Sequence, residues 1–150
     1  MLKISRLLMV LVPIALGIFL IDQNLKWIFI DGYRHYGDCI DLTLVYNRGV
    51  AFSMFAFLEE SLKWIQLALL AGVIGYTLWL RKGCYVLPVG IMVGAGFANV
   101  YDRFIHGGVV DYVYWHCGFN FAVFNFADVM IDFAVAWLFI LNFRPQTCKG

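Results

Sequence analysis

Long apolar runs broken by short polar stretches dominate the chain. Four runs, near residues 7–28, 62–80, 85–105 and 124–143, reach about 18 or more residues, enough to cross a hydrocarbon core of about 30 Å. The first follows Lys3 and Arg6, as a secretory signal would, but continues through Asp22 and Lys26 into Trp27-Ile28-Phe29-Ile30 without a small-residue cleavage site. It is expected to be a retained span.

The pattern changes between the first and second runs and between the third and fourth. Ile40-Asp41-Leu42-Thr43-Leu44 alternates apolar with polar, Asn47-Arg48-Gly49 offers turn chemistry, and Val50-Ala51-Phe52-Ser53-Met54-Phe55 resumes an extended-looking run. Val109-Val110-Asp111-Tyr112-Val113-Tyr114-Trp115 is rich in strand formers, Gly118 breaks it, and Phe119-Asn120-Phe121-Ala122-Val123 follows. Glu59-Glu60-Ser61 supplies capping and early-turn acids before the second span. The predicted fold class is a membrane all-α protein: four transmembrane helices with small β-rich elements on the extracytoplasmic face, in one domain over residues 1–150.

Composition agrees with that pattern. The 150 residues are 63% hydrophobic and 14% charged, whereas soluble domains run at roughly 45–50% apolar and 25% charged. Lys and Arg set the orientation, because short cytoplasmic loops collect them. Lys3 and Arg6 precede the first span, Arg81 and Lys82 join the second to the third, and Arg144 and Lys149 follow the fourth. Both termini are expected in the cytoplasm, with the two longer connections facing outward. A net charge of +1 and the lack of a basic stripe give no reason to expect nucleic acid. The four cysteines show no metal spacing; Cys39 and Cys117 fall on the outer side, where a disulfide is permitted, but free thiols are the expectation for all four, including Cys84 and Cys148.

Charged and amide side chains inside the spans carry the chemistry, since each is costly in lipid. At 1.5 Å per residue Asp22 lies about 22 Å from the cytoplasmic start of its span. Asn99, Asp102 and Arg103 lie near the outer end of the third span, and Asn125 and Asp128 open the fourth. Several helices therefore deliver polar groups to one outer level, and Asp111 joins them from the connection. Asp22 and Lys26, at i and i+4, are expected to form a structural pair with Lys26 snorkelling outward. Asp102 and Arg103 are expected to neutralise each other or to position substrate. His106 and His116 receive no role, and neither zinc nor serine chemistry has support, with no HExxH and no nucleophile context at Ser53 or Ser61. A proton-coupled transporter is one rival reading, against which the apolar inner halves of the spans count; a non-enzymatic membrane partner is another.

Four blocks, in order along most of the chain, resemble the lipoprotein signal peptidase (signal peptidase II) family. Asp22-Gln23-Asn24-Leu25-Lys26 is similar to its Asp-Gln-x-x-Lys element, and Asn47-Arg48-Gly49-Val50-Ala51-Phe52-Ser53 to its Asn-x-Gly-Ala-Ala-Phe block. Asn99-Val100-Tyr101-Asp102-Arg103 with Val109-Val110-Asp111 resembles Asn-x-x-Asp-Arg and Val-Val-Asp, and Phe124-Asn125-Phe126-Ala127-Asp128 resembles Phe-Asn-x-Ala-Asp. Departures are Gly94-Ala95-Gly96-Phe97-Ala98-Asn99 in place of Gly-Gly-Ala-x-Gly-Asn, Val50 for Ala, and an additional acid, Asp132. The resemblance implies an aspartic endopeptidase of the bacterial inner membrane, cutting diacylglyceryl-modified prolipoproteins before the lipidated cysteine. Asp111 and Asp128 would be its catalytic pair, with Asp22, Lys26, Asn47, Gly49, Asn99, Asp102, Arg103 and Asn125 in support. It implies no metal or other cofactor, membrane lipids and lipid-modified signal peptides as partners, and a monomer.

Overall fold

The computed structural model describes residues 2–49 and 59–143. Each apolar run is a helix: α1 spans Ile4–Ile30, α2 Glu59–Leu80, α3 Val86–Ile105 and α4 Phe126–Phe143. All four are long and apolar enough to cross a membrane. A single 3-10 turn, Gly83–Tyr85, links α2 to α3.

Burial is unequal. Of the membrane-length stretch, 56% is buried in α3 against 11% in α1 and 17% in α2 and in α4, so α3 is the central helix on which the others pack. Small residues make that packing close, as lipid supplies no hydrophobic drive between helices. A Cβ added at Gly94 would stand 2.8 Å from the Cα of Ala15, so only glycine lets α1 approach there. Leu7, Leu11, Leu70, Val86, Val89 and Val93 fill one apolar cluster, while Ala95, Ala98 and Ala127 form a second where α3 meets α4. Large apolar side chains such as Met9, Leu16, Leu69, Trp79 and Phe139 remain exposed, the pattern of surfaces turned to lipid.

The polar connections build one antiparallel sheet in the order β1-β2-β3, with β1 His35–Tyr36, β2 Ile40–Asn47 and β3 Val109–Trp115. Period-two alternation marked the start of β2 and a run of strand-forming residues marked β3, whereas β1 has too few residues to show either. Asn47 faces Val109 and Val45 faces Asp111, so alternation turns Asn47 and Asp111 to the same side. Between Leu42 and Val45 the register slips, setting two β2 residues against Tyr112 and bending the sheet beside Asp111. The stretch after Gly118 does not form a strand; Phe124 bridges back to Val113, and the Phe121 N–H donates to the Trp115 carbonyl at 2.9 Å. The extended run expected at residues 50–55 lies outside the described residues.

Two expectations about cysteine are corrected. Cys39 and Cys117 form a disulfide tying the loop before β2 to the end of β3. Backbone pairing brings them together: His116 N–H donates to the Cys39 carbonyl at 2.9 Å, beside a 3.3 Å approach of His116 Nε2 to Asp41. Cys84 is likewise disulfide-bonded, and Cys148 lies outside the described residues.

Candidate active site

Where α1, α3 and α4 meet below the sheet, Lys26 is buried at 1% exposure with its Nζ 2.6 Å from Asp22, 2.6 Å from Asp102 and 2.9 Å from Asn99 Oδ1. It does not snorkel. Two carboxylates and an amide oxygen, from α1 and α3, take the place of water around its ammonium. The expected Asp102–Arg103 pair is also replaced, since Asp102 turns to Lys26. Its other contacts are Gln23 Nε2 at 2.9 Å and the Val110 N–H at 3.1 Å, which pins β3 one residue before Asp111. Asp22 in turn accepts the Ala127 N–H at 2.9 Å, anchoring the first turn of α4.

That first turn is a reciprocal cap. Asn125 Oδ1 accepts from the Asp128 N–H at 2.9 Å while Asp128 Oδ2 accepts from the Asn125 N–H at 3.1 Å, so two otherwise orphaned donors are satisfied and the Asp128 carboxyl is oriented. Its other oxygen accepts from Asn99 Nδ2 at 2.8 Å. Asp111 is held from both sides, by Asn125 Nδ2 at 2.7 Å and Asn47 Nδ2 at 3.0 Å. Asn125 thus joins the two carboxyl groups. Burial pushes the Asp111 carboxyl up from its ordinary 3.8 to about 7, and the charge of Asp128 adds to the rise.

Arg103 turns to α2 and to the end of β2. Its Nε donates to Gln66 Oε1 at 2.9 Å, and its Nη atoms to the carbonyls of Gly49 at 2.5 Å and Arg48 at 3.4 Å. Asn47 Oδ1 accepts the Gly49 N–H at 3.0 Å, so the guanidinium and Gly49 together fix the amide that reaches Asp111. Three contributors were not singled out from sequence. Gln66 and Gln23 are polar groups within spans and carried that signal; Tyr112, whose hydroxyl accepts the Phe126 N–H at 3.1 Å, reads locally as an ordinary strand residue.

The carboxyls open onto a cavity of about 560 Å³. Asn47, Asn99, Arg103, Asp111 and Asp128 line one part, and Phe121, Val123, Phe124, Val129 and Ile131 give the rest an apolar wall. All the site residues expected from sequence meet around this cavity or the Lys26 cluster behind it. His106 stands apart, tilted against Tyr46.

Fold and cavity define a multi-pass membrane protein with a polar pocket at one end of its helices. The family profile for signal peptidase (SPase) II matches residues 14–144. The lipoprotein signal peptidase of Sulfurimonas denitrificans is 67% identical over 99% of this chain and 97% of its own length. That of Wolinella succinogenes is 55% identical over 86% and 90%, and that of Helicobacter pylori strain 26695 is 45% identical over 93% and 90%. A solved bacterial membrane enzyme superposes with a TM-score of 0.76 over 93% of this chain and 91% of its own; at 20% identity it speaks to the fold alone. The chain belongs to the signal peptidase II family of membrane peptidases.

Proposed function

We propose that this protein is an aspartic endopeptidase that removes the signal peptide from diacylglyceryl-modified prolipoproteins, cutting on the amino side of the lipidated cysteine. The observation that carries the reading is the Asp111–Asn125–Asp128 arrangement at the mouth of a half-apolar cavity. Two carboxyls so close in a low-dielectric site share one proton. The ionised member draws a proton from water as its oxygen adds to the scissile carbonyl, while the protonated member donates to the carbonyl oxygen. Collapse of the tetrahedral intermediate breaks the C–N bond, the cysteine nitrogen takes a proton from the pair, and the shared-proton state is restored. Asn47, Asn99 and Asn125 aim the carboxyls, and the Lys26 cluster behind them ties together the helices that carry these groups.

The family supports a precursor whose signal segment lies in the bilayer, and the apolar cavity wall suits acyl chains that stay in lipid. With both termini cytoplasmic, the sheet and the dyad stand at the outer face of the inner membrane, and a monomer suffices because one chain holds every group used. Purified Asp111→Asn and Asp128→Asn proteins should each lose cleavage of a lipidated precursor by about a thousandfold or more while still inserting in membranes. Cleavage by both variants at the wild-type rate overturns the assignment. Impermeant reagent reaching a cysteine probe at Lys82 from outside would overturn the orientation.

A further inference from the structure

Asp132 is an acid for which the reaction above has no use. It lies one turn along α4 from Asp128, is exposed, and lines the same cavity between apolar neighbours such as Val129 and Ile131. Among the described residues no hydrogen bond or ion pair engages it. A carboxyl at membrane depth facing a cavity, and otherwise lipid, is unfavourable unless something polar reaches it.

Substrate supplies such a group if the signal-peptidase reading holds, on which this inference rests. A helical peptide bond hides its carbonyl, so the segment must unwind beside Asp111 and Asp128 before water can attack. Unwinding releases backbone N–H groups at membrane depth, and each needs an acceptor. Four residues of helix place Asp132 about 6 Å from Asp128, away from the sheet. An extended peptide covers that distance in about two residues at roughly 3.3 Å each. We propose that the Asp132 carboxyl accepts a hydrogen bond from the unwound signal peptide, at the backbone N–H about two residues before the cleavage site. Asp132 is then a substrate-binding residue that favours precursors able to unwind at that place.

The test uses full-length protein in detergent and synthetic diacylglyceryl-modified precursor peptides in which single amides near the cleavage site are replaced by esters, which lack the N–H. Asp132→Ala should raise KM about tenfold on the all-amide peptide with kcat little changed and thermal stability intact, while Asp132→Asn, which keeps a carbonyl acceptor, should recover most of the loss. One ester, at the second residue or its immediate neighbour, should raise KM about tenfold for wild type and have no effect on Asp132→Ala. A wild-type KM for Asp132→Ala, or ester penalties equal in the two proteins at every position, overturns the proposal and leaves the peptidase reading standing. Failure of wild type to cut the all-amide peptide overturns the reading and this assignment together.

Discussion

Replacing Lys26 with methionine probes the centre of the molecule, because one ammonium serves two carboxylates. At 2.6 Å and an effective dielectric constant of 20, each ion pair is worth about 6 kcal/mol in gross Coulomb energy. Most of that is offset by the cost of taking three charges out of water, so the gross figure is not the loss to expect. Removing one partner of a buried pair destabilises by about 3–5 kcal/mol, because the remaining charge is stranded. Here two are stranded, at Asp22 and Asp102, both 0% exposed, and the Asn99 amide oxygen loses a donor as well. The upper end of the range applies, about 5 kcal/mol, or a fall in Tm of roughly 10–20 °C at about 2–4 °C per kcal/mol. Thermal unfolding of detergent-solubilised protein, followed by near-ultraviolet circular dichroism, measures it. Adding Asp22→Asn and Asp102→Asn should restore much of the stability, since neutral amides no longer need the cation, though the Val110 and Ala127 contacts would weaken. A Lys26→Met protein melting within about 2 °C of wild type would refute the buried-cluster reasoning.

The remaining expectations concern the pair, the guanidinium and the disulfide. Cleavage should fall as pH rises through about 7, where the Asp111 carboxyl loses its proton and the pair its acid. Because the folded pKa lies above the ordinary 3.8, stability should also decline between about pH 4 and 7, and Asp111→Asn should flatten that slope in Tm measured against pH. Arg103→Lys keeps charge but cannot span Gln66 and the Arg48 and Gly49 carbonyls; about a tenfold loss of cleavage is expected in protein still inserted, and full activity would show the fork is not needed. Cys39→Ser, Cys117→Ser and the double variant should each lose the same stability, about 2 kcal/mol, by thermal unfolding under oxidising conditions, and unequal single and double losses would count against the bond.

Sequence by itself determined the four spans, the strands β2 and β3, and the level at which the acids gather. These follow from local quantities: run length against bilayer thickness, alternation against the pleat for β2 and strand-forming residue types for β3, and residue count against helical rise. The same quantities gave the level of Asp111, Asn125 and Asp128, whereas singling out the two acids as a pair came from the resemblance of the blocks around them to the family's. Which group each side chain meets was decided by the tertiary structure alone. Lys26 was matched to Asp22, four residues away, and that pair exists; but rotation of α3 brings Asp102 equally close, turning an interfacial pair into a buried cluster. Arg103, adjacent to Asp102 in sequence, points elsewhere because successive helix residues lie about 100° apart, and it reaches Gln66 on α2 and the carbonyls after β2. Cys39 and Cys117 meet because β2 pairs with β3 across an intervening pair of helices, a register that spacing along the chain does not encode. Burial and hydrophobic period are one-dimensional properties, whereas partner choice depends on how helices rotate and cross, and that is fixed only when α1, α3 and α4 close on one another.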